Sequence, residues 1–263
     1  MDDAQFRSFA ADHLGKLSER AQVDLLNRVE MTRTESAKLS PVPLDSGILR
    51  AATSPYIQGI RDDPIFTELF AERPRDFFWI DPNKVVALQA NVTLPLEVPP
   101  TDADELIRYY LPHSWEIPVE ISRLGPMAFY FLSSCPHLGA SAQPIVELDH
   151  SGRRLVVQAP RHANLTQVVQ LNGRLYCRNG HNRIVSALRA GVTEIPALVI
   201  QGLLPQDISL AGPNFFNPGY LLPLARPPLI GDLLGPASAT IPSREWRYGF
   251  VLNLMALPVN HPI

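Results

Sequence analysis

Hydrophobic positions change period along the chain, and the changes mark out its elements. Phe6, Phe9, Ala10, Leu14 and Leu17 recur at helical spacing, and Val23, Leu25, Leu26 and Val29 form a second run. Two short helices are therefore expected over residues 2–34, with Ser18 available as an N-cap. Residues 35–63 are mixed, with prolines at positions 41, 43 and 55. The run 64–72 predicts a short helix with Pro64 in its first position. Phe77-Phe78-Trp79-Ile80 predicts a buried strand, and Asp81-Pro82-Asn83 a turn. Residues 84–92 read equally as strand or short helix.

Residues 93–100 are held extended by proline. Asp102 to Leu111 predicts a helix capped by Thr101 or Asp102, with Asp104 and Glu105 in its first turn. Met127 to Leu132 is a strand or a buried helix. From Pro144 the period becomes clearer. Residues 145–148 and 155–158 flank Asp149-His150-Ser151-Gly152 and predict a hairpin. Residues 165–171 and 174–178 flank Asn172-Gly173, the strongest short hairpin signal. A polar loop follows at Asn179-Gly180-His181-Asn182-Arg183. Ile184, Val185, Ala187 and Leu188 then share one helix face, Gly191 is placed to end that helix, and residues 195–200 form a further strand. Beyond residue 200 ten prolines interrupt the apolar runs, including Leu221–Leu234 and Phe250–Leu257. That composition predicts an irregular but packed segment.

These elements give an α/β (α+β) class. A helical N-terminal extension is expected over 1–75, a mixed-sheet core over 76–200 and a Pro-rich C-terminal extension over 201–263. Composition adds that 46% of the 263 residues are hydrophobic and 19% charged, enough for a sizeable core. The two cysteines, Cys135 and Cys177, form no disulfide framework or zinc motif. With no secretory h-region and no long apolar run, a cytoplasmic protein without a membrane span is expected.

Charge alters the picture locally. The formal net charge is -3, which disfavours a wholly basic nucleic-acid binder. Yet residues 151–193 contain no Asp or Glu, and they hold Arg153, Arg154, Arg161, Arg174, Arg178, Arg183 and Arg189. A cationic field around the 179–183 loop is expected, against the alternative of separately solvated arginines on opposite strand faces. The loop itself stands where a strand hands over to a helix, so free backbone N–H groups and the helix dipole favour an anion. Gly180 permits close backbone approach, Arg183 offers a fork to phosphate, and His181 can donate or exchange a proton. Asn179 and Asn182 supply amides or a cap, and Arg178 adds charge. The bland reading of His181 is a polar residue satisfied by backbone.

The pattern G-H-N-R, helix, A-G-V-T-E-I-P-A-L-V-I resembles the ParB/sulfiredoxin-like superfamily. Its loop is most similar to the Asp-Gly-His-His-Arg loop of free serine kinases. The resemblance implies nucleotide phosphates on Asn179, Gly180, His181, Asn182, Arg183 and Arg178, with His181 and Arg183 as the catalytic pair. A nucleoside di- or triphosphate and Mg2+ are the implied cofactors, and phosphotransfer or NTP hydrolysis the implied reaction. The departures narrow this. His181 stands at the sulfiredoxin cysteine position, and Asn179 and Asn182 replace the kinase aspartate and second histidine. Cys177 lies in a strand and reads as structural. No helix-turn-helix follows residue 200.

A phosphotransferase also needs a carboxylate. Asp81, Glu147, Asp149, Glu116, Glu120, Asp102, Asp104 and Glu105 are the candidates, each more simply read as solvated or capping. Trp79, Tyr109, Tyr110, Trp115 and Trp246 are candidates for base stacking. The metal ligands stay unassigned. Two rival readings remain open. One is a non-catalytic scaffold binding a protein partner, or a second copy, through the N- and C-terminal extensions. The other is a ParB-like nuclease or nucleic-acid-acting effector.

Overall fold

The structure is a computed structural model that describes residues 23, 27, 31, 47–90, 92, 97–116, 119–125, 128–133, 145–148, 155–158, 161–210, 215–236, 238 and 248–253. The expected N-terminal helices lie outside these residues, except that Val23, Asn27 and Met31 are helical. The protein is of mixed α+β content. Its contacts divide it into a unit made of 1–114 and 164–243, and a unit made of 115–163 and 244–263.

The first unit is built on a six-stranded mixed sheet. Its strands are β1 (Ile48–Ala51), β2 (Arg75–Ile80), β3 (Val85–Ala87), β8 (Gln167–Leu171), β9 (Arg174–Asn179) and β10 (Ile195–Gln201). They lie in the order β1-β2-β10-β8-β9-β3. β10 runs antiparallel to β2, with Ala197 opposite Phe78, and parallel to β8, with Leu198 opposite Gln167. Residues 195–200 are buried throughout, as the unbroken apolar run Ile-Pro-Ala-Leu-Val-Ile requires of a strand covered on both faces. The hairpin of β8 and β9 closes at Asn172 (φ 50) and Gly173 (φ 74), whose paired positive φ values suit the right-handed twist of the strands.

Of residues 84–92, Val85–Ala87 form a strand: a 3-10 turn at Pro82–Lys84 leads into β3, which pairs in parallel with β9. The other edge of β3 is not open. Ala87 N–H donates to Pro228 O at 2.9 Å, and Phe216 N–H donates to Leu88 O at 2.8 Å. The Pro-rich segment after residue 200 thus lies along this edge. β1 and the helices α1 (Pro55–Asp62) and α2 (Pro64–Leu69) precede residue 76 and belong to this same unit. Ser54 and Asp63 cap α1 and α2, and Pro55 and Pro64 take their first positions, where a missing N–H costs nothing.

Two helices flank the site. α3 (Ala103–Tyr110) starts at Asp102, whose carboxylate accepts from the Asp104 and Glu105 N–H groups. It buries Leu106, Ile107 and Tyr110 and packs on β10. α4 (His181–Arg189) buries Ile184, Val185 and Ala187. Gly191 (φ 74) ends it: its N–H donates to Leu188 O at 3.1 Å, and the Val192 N–H donates to Ala187 O at 2.9 Å. This paired closure satisfies carbonyls that a helix end otherwise leaves bare.

The second unit holds β4 (Glu120–Gly125), β5 (Ala128–Ser133) and β11 (Tyr248–Asn253) in one antiparallel sheet, and β6 (Ile145–Leu148) with β7 (Leu155–Gln158) in the expected hairpin. β11 corrects the irregular reading of the C-terminal segment. Tyr248–Asn253 pairs along the whole of β5, from Tyr248 opposite Ser133 to Asn253 opposite Ala128. Such pairing depends on a partner more than a hundred residues away, so the local proline content does not reveal it.

Candidate functional site

The junction of β9 and α4 is set by Gly180. It takes φ 94 and ψ 20, a left-handed conformation, and occupies the N-cap of α4 with no side-chain cap hydrogen bond. A Cβ there would lie 2.9 Å from Thr166 Oγ1 and 3.2 Å from Thr166 Cα, so both conformation and space call for glycine. Asn179 holds the approach from below. Its Nδ2 donates to Leu165 O at 3.0 Å, and its Oδ1 accepts the Gly180 N–H at 2.9 Å. The first turn of α4 is thus presented by a fixed loop, with the positive end of the helix dipole uncapped by any side chain.

His181 does not face outward from that turn. Its ring is 4% exposed, and Nε2 accepts the Gln89 N–H at 3.1 Å. Burial lowers its pKa to about 3, so the ring is neutral at physiological pH. This matches the bland reading of the residue, a histidine satisfied by backbone, and it makes His181 a tie between α4 and the segment after β3.

Arg183 points the other way, toward α3. Its Nη1 donates to Tyr109 O at 3.3 Å and Tyr110 O at 3.2 Å, and its Nη2 donates to Asn164 Oδ1 at 3.3 Å. The guanidinium therefore caps the C-terminal carbonyls of α3, where a cation is favoured. Burial lowers its pKa, opposed by Tyr109, Cys177, Tyr110 and Glu97, and the group remains cationic.

Beside it lies a cavity of about 520 Å³, lined by Glu97, Arg108, Tyr109, Pro112, Asn164, Asn182, Arg183 and Ser186. Asn182, Arg183 and Ser186 come from one face of α4, at the i, i+1 and i+4 positions; Arg108 and Tyr109 come from α3. The Arg108 guanidinium sits 4.6 Å from the Tyr56 ring centroid, which steadies it without neutralising it. Ser186 Oγ donates to Asn182 O at 2.9 Å. The Tyr109 hydroxyl is enclosed near Glu97 and Ser186 with no partner at hydrogen-bonding geometry. Burial and then the Glu97 carboxylate raise its pKa, so it stays a phenol.

Of the expected loop residues, Asn182 and Arg183 line the cavity, while Arg178, Asn179, Gly180 and His181 do not. Arg178 lies instead near Asp207, which favours its charge, and Arg73, which opposes it; burial and then the neighbouring Arg73 charge lower its pKa. The expected cationic field is dispersed. Arg174 is buried and donates to Leu224 O and Ala225 O, Arg161 belongs to the other unit, and Arg189 is exposed at the end of α4. Arg153 and Arg154 lie outside the described residues. Arg174 and Arg178 share the strand parity of β9, and it is their separate partners that direct each guanidinium. Cys177 is fully buried and donates to Asn179 O at 3.4 Å; burial pushes its thiol up, and it is structural.

The expected carboxylates are placed elsewhere. Asp81 accepts the Asn83 N–H and Nδ2, Asp102 caps α3, and Asp104 and Glu105 are exposed in the first turn of α3. Glu116 and Glu120 belong to the second unit, Glu147 is described only as backbone of β6, and Asp149 lies outside the described residues. The carboxylate that does line the cavity is Glu97. No periodic signal marks it, because it stands in an extended stretch between Pro95 and Pro99. Arg108 was accessible to inference: with Leu106, Ile107 and Tyr110 turned inward, it falls on the opposite face of α3. Of the aromatic candidates, Tyr109 lines the cavity. Tyr110 is fully buried, Trp79 lies under Arg50 at 4.6 Å, Trp115 is in the second unit and Trp246 lies outside the described residues.

Among the described residues no group of three or more His, Cys, Asp or Glu could hold a metal ion, and no helix is long and apolar enough to cross a membrane. No family model, no curated protein and no solved structure matches the chain.

Proposed function

We propose that this is a ParB/sulfiredoxin-like protein that binds a nucleotide, with its phosphates over Gly180–Arg183 and the start of α4. One observation carries the reading: Arg108, Arg183 and the first turn of a helix without a side-chain cap border the same 520 Å³ cavity. Gly180 lets backbone approach the phosphate, Asn182 and Asn164 add amides, and Arg183 keeps α3 and α4 in register beside it. His181 supports the loop from behind. Arg108 and Arg183 would neutralise charge developing on a transferred phosphoryl group, with water or a hydroxyl compound as acceptor. The donor set does not form a protein-held magnesium site, since one carboxylate lines the cavity; magnesium enters with the nucleotide, on its own phosphates.

The test is a titration of ATP, ADP, CTP and GTP with magnesium against wild type and Arg108→Ala. Binding in the millimolar range or tighter, weakened about tenfold in the variant, is expected. No binding and no rise in melting temperature with any nucleotide would sink the proposal. A second reading, a non-catalytic scaffold, draws on Arg183 being committed to the α3 carbonyls and on Leu203 and Leu204 being 77% and 57% exposed. Nucleotide binding without turnover would favour it.

A further inference from the structure

Glu97 is out of place in a wall built for anions. It is exposed, lines the same cavity as Arg108 and Arg183, and lies beside the enclosed Tyr109 hydroxyl and within the field of Arg183. A phosphate brought against it would be repelled, so the lining offers two kinds of recognition chemistry, cationic at Arg108 and Arg183 and anionic at Glu97. An ionised carboxylate only accepts hydrogen bonds, and its two oxygens suit two adjacent hydroxyl donors. The cavity volume falls in the range of small-molecule and cofactor sites, with room for more than a bare phosphate.

We propose that Glu97 is a specificity residue that accepts hydrogen bonds from the ribose hydroxyls of a nucleotide whose phosphates lie toward Arg108 and Arg183, so that the site selects ribonucleotides. The inference rests on the nucleotide reading above and adds the sugar to it. Tyr109 is a positioning residue: its phenol, held protonated, stands beside the carboxylate and restrains it from swinging to the arginines.

The experiment uses the full chain and isothermal titration at fixed salt. ADP, CDP, GDP and UDP are compared, then the tightest of them with its dideoxyribose analogue and with inorganic tripolyphosphate, for wild type, Glu97→Ala and Tyr109→Phe. Wild type is expected to prefer the ribonucleotide about tenfold or more, the value of a charge-assisted hydrogen bond. Glu97→Ala should bring that ratio close to one, and leave tripolyphosphate binding unchanged or tighter because a repulsive charge is gone. Tyr109→Phe should shrink the ratio partway with tripolyphosphate unaffected. The inference alone is overturned if wild type does not discriminate, if the ratio survives Glu97→Ala, or if that variant weakens all ligands equally. If neither nucleotides nor tripolyphosphate bind wild type, both the inference and the nucleotide reading fall.

Discussion

The ring of His181 accepts a hydrogen bond from the backbone N–H of Gln89 at 3.1 Å, joining the first residue of α4 to the chain just beyond β3. A protonated ring has no lone pair for that bond, so the contact and the low pKa describe one fact. In the unfolded chain the group titrates near its ordinary 6.5, and in the folded protein near about 3. Between these values the unfolded state binds the extra proton. Stability should therefore be constant, as far as His181 is concerned, above pH 6.5, and fall as pH drops below it by up to about 1.4 kcal/mol per unit. Denaturant midpoints measured from pH 7.5 to 4.5 should show this slope in wild type. His181→Gln should reduce it; an unchanged slope would place the titration elsewhere.

Arg183 should show two separable deficits. Removing its fork leaves the Tyr109 and Tyr110 carbonyls short of donors, and Arg183→Ala is expected to cost about 1–3 kcal/mol of stability. Arg183→Lys keeps the charge and loses the planar fork, so it should restore part of any phosphate affinity and little of the stability. Thermal melts paired with nucleotide titrations would separate the two. A lysine variant as stable as wild type would show that the fork geometry is unimportant.

Gly180 and Thr166 give a test of packing at the loop. Gly180→Ala places a Cβ 2.9 Å from Thr166 Oγ1 at φ 94, and should destabilise by about 1–3 kcal/mol. The Thr166 hydroxyl is buried and has no hydrogen-bond partner among the described residues. Thr166→Val, of nearly the same shape, should be neutral or stabilising by up to about 1 kcal/mol. Loss of stability in that variant would reveal a partner for the hydroxyl.

Asp207 anchors the chain after β10. Its carboxylate accepts the Leu203 N–H at 2.6 Å and the Leu204 N–H at 2.9 Å, and pairs with Arg73 while its own side chain is 2% exposed. The Arg73 hydrogen bond, more than any other contact, lowers its pKa from 3.8 to about 2. The contribution is full above about pH 4 and is lost as pH falls through 2. Asp207→Asn should cost about 2 kcal/mol at neutral pH and flatten the acid limb of the stability profile. An acid limb identical to wild type would contradict the pairing.

Much of the core was legible because its signals are local. Asn172-Gly173 closes its hairpin, Asp102 caps α3, Gly191 ends α4, and 195–200 is a buried strand, each for the reason its residues give. The site was legible in part. Asn182 and Arg183 do line a cavity, but the sequence does not say which way a side chain on the first helical turn points. Gln89 decides that for His181, from across the sheet. Glu97 carries no periodic mark between its prolines, and β11 finds its partner only through long-range pairing. The arginines looked like one field because the sequence does not show each one's partner: Arg174 turns to the Leu224 and Ala225 carbonyls and Arg183 to the Tyr109 and Tyr110 carbonyls.

The Thr166 N–H donates to the Tyr110 carbonyl at 2.8 Å. That bond spans the first of the chain's two passages into the second unit, which leaves after Ser114 and returns at Asn164. The two ends of the excursion are stitched side by side, so the sheet-bearing unit closes on itself there. In engineering terms the junction is a ready splice point: a short turn from Ser114 to Asn164 would keep Pro112 and Asn164 in the cavity wall and leave the strand order β1-β2-β10-β8-β9-β3 unaltered. The same arithmetic lets a module be gained or exchanged at that junction while the cavity beside it keeps its walls.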